Sequence, residues 1–79
     1  MNPVNIVSKT VQIAPAHTVV MTSINWRTHD DPFQRRLRII VNGRVQVVVE
    51  GAEYDALGQW TDETIKSVIL TKLGMVETT

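Results

Sequence analysis

A chain of 79 residues with eight basic residues, eight acidic residues and no cysteine is one small domain, near the size at which a single core only just outweighs chain entropy. The lack of cysteine excludes disulfides and thiolate metal sites. The balanced charge counts against a dedicated nucleic-acid binder, which carries a basic excess, and no apolar run approaches the roughly 18–20 residues of a membrane span.

Reinforcement by a partner stays open to such a chain, and a formal net charge of zero leaves little repulsion to oppose association. The start, Met1-Asn2-Pro3-Val4-Asn5, lacks the basic stretch and apolar block of a signal peptide, so a cytoplasmic protein is expected.

Two runs rich in β-branched residues come first, at 4–14 and 18–27, and both read as strands. Between them stands Ala14-Pro15-Ala16-His17. Proline holds φ negative and cannot enter a type I′ turn, so a four-residue loop closed by Ile13 opposite Thr18 is expected. That register sets Val11 opposite Val20 and Val7 opposite Ile24. One face then carries Val7, Val11, Ile13, Val20, Ile24 and Trp26, with Lys9 as an intruder. The other carries Ser8, Thr10, Gln12, Val19, Met21 and Ser23, and Val4 and Ile6 fall on the side away from Val7.

The polar stretch Thr28-His29-Asp30-Asp31-Pro32 reads as a loop. Two further strands, 35–41 and 44–50, flank Asn42-Gly43. Asn-Gly favours a two-residue type I′ turn, but that turn would leave each face half apolar and half charged. A three-residue loop, Val41-Asn42-Gly43 with a G1 bulge, instead pairs Ile39 with Val45 and Leu37 with Val47. It gathers Leu37, Ile39, Val45, Val47 and Val49 on one face and Arg36, Arg38, Arg44, Gln46 and Glu50 on the other. A one-residue slip flips every side chain, and burying aliphatic side chains at roughly 1.5–3 kcal/mol each outweighs a local turn preference.

Ala52 to Leu57 suits one helical turn stopped by Gly58. A longer helix is expected over about 62–73. Thr61 is its N-cap, Asp62 and Glu63 put negative charge in the first turn, and Trp60 and Ile65 stand at the positions of a hydrophobic staple. Ile65, Val68, Ile69 and Leu73 form its apolar stripe, Leu70 falls off that stripe, and Gly74 ends it. Residues 75–79 read as a frayed tail. The expected fold is α+β: a four-stranded antiparallel sheet of two successive hairpins, with the C-terminal helix packed on one face.

The candidate chemistry is sparse. His29-Asp30-Asp31 is the one cluster of metal-type side chains, but three consecutive loop residues rarely converge on an ion, and a solvated turn is the plainer reading. His17 with Thr22 and Ser23 lacks the elbow and oxyanion donors of a nucleophile site. No catalytic residue, metal or cofactor is expected.

Arg27, Arg35, Arg36, Arg38 and Arg44 are five of the eight basic residues. An interaction face of Arg36, Arg38, Arg44 and Gln46, with Arg38 opposite Gln46 at its centre, follows from the hairpin register. Glu50, Glu53, Asp55, Asp62 and Glu63 form an acidic block that complements it, within the chain or between protomers. Val19 and Met21, on the face the helix leaves uncovered, are the expected apolar docking pair.

The reading that follows is a non-enzymatic protein-interaction or assembly module that associates with itself or another protein, in the manner of a phage-type structural or accessory protein. The alternative is a nucleic-acid-binding regulator using the arginine-bearing face of the 35–50 hairpin. No membrane is implied.

Overall fold

The computed structural model describes residues 3–78. Met1 and Asn2, at the start taken to lack a signal peptide, and Thr79, the last residue of the expected tail, lie outside the described residues. Five antiparallel strands form two sheets: β1 (Val4–Ala14) pairs with β2 (His17–Ile24), and β3 (Trp26–Asp31), β4 (Arg36–Val41) and β5 (Val45–Glu50) pair in that order. Helices α1 (Ala52–Leu57) and α2 (Asp62–Leu73) follow, and α1 contacts β5.

The α+β class and the hairpins stand as expected, but the single four-stranded sheet does not. The strand expected over 18–27 breaks at Asn25, and the expected loop at 28–32 is largely strand, with Trp26 opposite Val41 and Asp31 opposite Arg36. Asn42 holds the break. Its backbone N–H donates to the Asn25 carbonyl at 2.7 Å, its Oδ1 accepts from the Asn25 N–H at 2.8 Å, and its Nδ2 donates to the Ser23 carbonyl at 3.0 Å. These bonds satisfy backbone groups that a continuous ladder would have paired.

Asn42 and Gly43 both have positive φ (54° and 69°), and the Arg44 N–H donates to the Val41 carbonyl at 3.0 Å. Two successive positive φ values mark the type I′ turn that Asn-Gly favours. Arg44 is then an extra residue before pairing resumes at Val41–Val45. The loop is therefore Asn42-Gly43-Arg44, one residue later than expected, and Ile39 pairs with Val47 and Leu37 with Val49. This register differs from the expected one by two residues. A shift of two preserves which way each side chain points, so Leu37, Ile39, Val41, Val47 and Val49 are all buried on one face.

The first hairpin departs by an odd number. Ala14 pairs with His17 across Pro15-Ala16, Val11 with Val19 and Lys9 with Met21, with register shifts between Gln12 and Ala14 and between Asn5 and Lys9. Pro15 followed by Ala16 at φ 65° is the sequence of φ signs of a type II turn, which admits proline at its first central position. The four-residue loop is thus replaced by a two-residue turn and a bulge, and the face of β2 inverts over 19–21, while Ile24 and Val11 are buried as expected. Met21 is buried and Val19 packs against the core, whereas Val20 and Val7 are exposed. Across the second irregularity both strands change the parity they bury, so that Ile6 and Ile24 join the core and Val4, opposite Ile24, packs against it.

Helix α2 follows its local signals. The Thr61 hydroxyl accepts from the Thr64 N–H and the Thr64 hydroxyl from the Thr61 N–H, a reciprocal cap. Ile65 and Ile69 are buried, with Val68, Leu73 and Trp60 packed against the core. At the far end Gly74 adopts the left-handed conformation, and the Met75 N–H reaches the Leu70 carbonyl at 2.9 Å. This is a Schellman ending, which brings the side chain after the glycine back toward the last turn.

Met75 is accordingly buried, and Leu70 is half-buried against the core. The segment after it is docked along β1, not frayed. Ile6 bridges Glu77, the Val7 N–H donates to the Val76 carbonyl at 2.7 Å, and the Thr78 N–H donates to the Asn5 carbonyl at 3.0 Å. Lys66 of α2 meets Glu77 at 3.2 Å and Glu63 at 2.9 Å.

Candidate interaction face

Strand registers lay out the outer face of the three-stranded sheet in rows. Arg27, Ile40 and Gln46 form one row, His29, Arg38 and Val48 the next, and Asp31, Arg36 and Glu50 the third. Strand alternation sends these side chains away from the core that their neighbours Leu37, Ile39, Val47 and Val49 build. Ile40 and Val48 are half-buried among exposed polar neighbours. Arg38 stands at the middle of this grid, beside the half-buried Ile40 and Val48, and the arginines share the face with Asp31 and Glu50.

Arg36, Arg38 and Gln46 share this face as expected. Arg38 lies opposite Val48, however, and Gln46 opposite Ile40, because of the two-residue difference in register. Arg44 sits at the bulge beyond the last pair, beside β2 and Asn42. Val19 and Met21 belong to the core, so they offer no exposed docking pair.

Arg36 is paired with Glu50 at 3.0 Å. Among the described residues, Arg27, Arg38 and Arg44 have no carboxylate within ion-pair distance. A groove of about 660 Å³ runs between the rows and the β3–β4 turn, lined by His29, Asp31, Gln34, Arg36 and Arg38 with the edge of β3.

The turn that closes this groove is held from both sides. The Gln34 N–H donates to Asp31 Oδ1 at 3.1 Å, and the Arg35 N–H donates to the Pro32 carbonyl at 3.3 Å. Arg35, at φ 54°, grips Asp55 of α1 with two guanidinium nitrogens. That hydrogen bond, more than the charge attraction accompanying it, holds the guanidinium above its ordinary pKa. Tyr54 of α1 donates to Asp30 Oδ1 at 2.7 Å, and this bond chiefly raises the phenol pKa, with desolvation and the nearby carboxylates adding to it.

The metal-type cluster is divided by strand alternation. His29 and Asp31 lie in the outer rows, while Asp30 lies at the opposite-facing position and holds Tyr54. Among the described residues no group of three His, Cys, Asp or Glu side chains converges on a point. His17 stands at one end of β2, with Thr22 and Ser23 toward the other, roughly 17 Å along an extended strand.

Arg27 and His29 are members of the face that the sequence reading missed. The signals were Asn25 inside a β-rich run and Asp31-Pro32 six residues on, which together bracket a short strand. No family model matches this chain, nor does any curated protein or solved structure.

Proposed function

We propose that this protein is a non-enzymatic interaction or assembly module that self-associates, acting in the cytoplasm as a structural or accessory component of the phage type. The observation that carries the reading is the outer face of β3–β4–β5. Its half-buried Ile40 and Val48 are framed by Arg27, Arg36, Arg38 and Gln46. Arginine set beside half-buried apolar side chains is a composition found in recognition surfaces. Of the acidic side chains of α1 and the first turn of α2, Asp55, Glu53 and Glu63 are paired within the chain with Arg35, Lys72 and Lys66, which among the described residues leaves Asp62 to offer a complementary charge.

Light scattering at high micromolar concentration, with and without added salt, tests it. Association that weakens with salt supports charge complementarity, and a strict monomer under all conditions removes the self-association reading.

A second reading, a nucleic-acid-binding regulator, draws on the lack of ion-pair partners around Arg27, Arg38 and Arg44. Phosphate contacts must weaken when cations are removed. Changing Arg36, Arg38 and Arg44 together to alanine therefore decides it. Unchanged binding to DNA and RNA at low salt rejects that reading.

A further inference from the structure

The strand edges of this molecule are not treated alike. β3, the edge of the larger sheet, is six residues long and carries Arg27, His29, Asp30 and Asp31, the kind of charged edge that resists pairing with another chain. β5 runs straight into α1, which contacts it. The outer edge of β1 is occupied over residues 5–7 by the docked tail, and Lys9 follows.

β2 has β1 on one side only. On the other, the Asn42 side chain takes the Ser23 carbonyl at the end of the strand. An open groove of about 220 Å³ runs from Val19 to Ser23 beside Asn42 and Arg44. From Thr18 to Thr22 the strand contains no charge, no proline and no glycine. Such an edge is a template for strand addition.

The side chains along that edge favour one occupant. Thr18-Val19-Val20-Met21-Thr22 has the same pattern of side-chain types in both directions about Val20. An antiparallel partner of the same sequence, centred there, sets Thr18 against Thr22, Val19 against Met21 and Val20 against its own copy. Each pair is chemically matched, as stable cross-strand pairs are. Val20 is 67% exposed, whereas Met21 is 4% exposed and Val19 packs on the core. Pairing therefore covers the exposed valine on one face and extends the inner apolar row on the other.

We infer that the free edge of β2 pairs antiparallel with β2 of a second copy about a two-fold axis at Val20, making a continuous β1–β2–β2–β1 sheet. The inference rests on the self-association of the reading above but places the contact between copies on the β2 edge instead of the outer face of β3–β4–β5. An isologous contact of this kind closes at two copies. A five-residue pairing lies at the small end of interfaces, below about 1,200 Å², the size of weak and transient contacts.

Sedimentation equilibrium of the full chain from low to high micromolar concentration tests it, with three variants. Val20→Lys places two like charges face to face at the axis and is expected to weaken dimerisation at least tenfold. Val20→Ile keeps the dimer, and Arg38→Glu distinguishes the two surfaces, because it leaves a β2-edge dimer intact and breaks one formed through the outer face of β3–β4–β5. Circular dichroism checks that each variant folds. Independently of any variant, hydrogen exchange on the unaltered protein is expected to show the amides of 18–22 gaining protection as concentration rises. A dimer indifferent to Val20→Lys, or broken by Arg38→Glu, overturns the β2 pairing and leaves self-association standing. Assembly that grows past two copies without closing also overturns it. A wild-type monomer throughout overturns both readings.

Discussion

The two hairpins solve one problem in different ways. β4–β5 serves a single core, and its six pairs run without interruption from Val41–Val45 to Arg36–Glu50. Its only irregularity is Arg44, spent at the turn. β1–β2 has its irregularities inside the ladder, at both ends of the 9–12 stretch. It buries Ile6 near the tail and Val11 toward the turn, positions of opposite parity. A regular strand buries one parity only. Register irregularities allow the longer strand to send a side chain into the core from each half, while the edge of one half receives the docked tail. An alternating pattern reads true for a hairpin with one buried face and fails for one whose buried face changes along its length.

The largest effects test that difference directly. Met21→Ala is expected to cost about 2–5 kcal/mol, and Val20→Ala to stay within about 0.5 kcal/mol. In the regular hairpin, Ile39→Ala is expected to cost as much as Met21→Ala, while Arg38→Ala changes stability little. Urea unfolding of the four variants decides the matter. A costly Val20 and a cheap Met21 would restore the simple register and break the contrast.

The next effect concerns the bracket between the sheets. Asn42→Ala loses both side-chain bonds to the β2–β3 junction and places alanine at positive φ, which costs about 1–3 kcal/mol. Asn42→Gly relieves the backbone but still lacks the bracket, so it falls between alanine and the wild type. The Asn25 amide should exchange faster in both variants. No change in its protection would show that Asn42 acts only as a turn residue.

A smaller gain is expected at the other turn. Ala16 holds φ at 65°, where a Cβ is unfavourable, so Ala16→Gly should stabilise by about 1 kcal/mol. The measure is an upward shift of the unfolding midpoint. A loss of stability instead would argue that the turn does not hold this conformation.

The smallest effect is confined to the α1 side of the larger sheet. The folded state keeps the Tyr54 proton after the unfolded chain has lost it, because the phenol donates to Asp30. A raised folded pKa means that stability is complete below the ordinary tyrosine value, about pH 10, and declines as pH climbs through the folded value. Lys66, held charged by Glu63 and then Glu77, declines in the same direction. Tyr54→Phe should therefore flatten part of the alkaline decline while leaving stability near neutral pH only slightly changed. Denaturant midpoints at neutral and alkaline pH compare the two proteins.

The bounds of helix α2 were legible, from the Thr61 cap to Gly74, because caps act within a few residues of the chain, although Leu70 packs against the core from off the expected stripe. The buried face of β4–β5 was legible as well. Parity survives a difference of two in register, so Arg36, Arg38 and Gln46 share the outer face with other partners than expected, while Arg44 falls at the bulge. β3 was not legible. Trp26 and Arg27 read as the end of the preceding strand and 28–31 as loop, but they form one separate strand because β4 offers a ladder and Asn42 closes the break at Asn25.

The orientation of β2 and the docking of the tail were likewise decided by tertiary structure. A single odd shift in β1 reverses Val20 and Met21, and nothing local to either residue signals it. The tail is drawn onto β1 by Met75 entering the core and by Glu77 reaching Lys66. Local chemistry in the chain determined which segments turn, cap and alternate. Only the packed structure determined which side of the first hairpin is buried and which strand edge is left without a neighbour, because both depend on contacts between residues far apart in sequence.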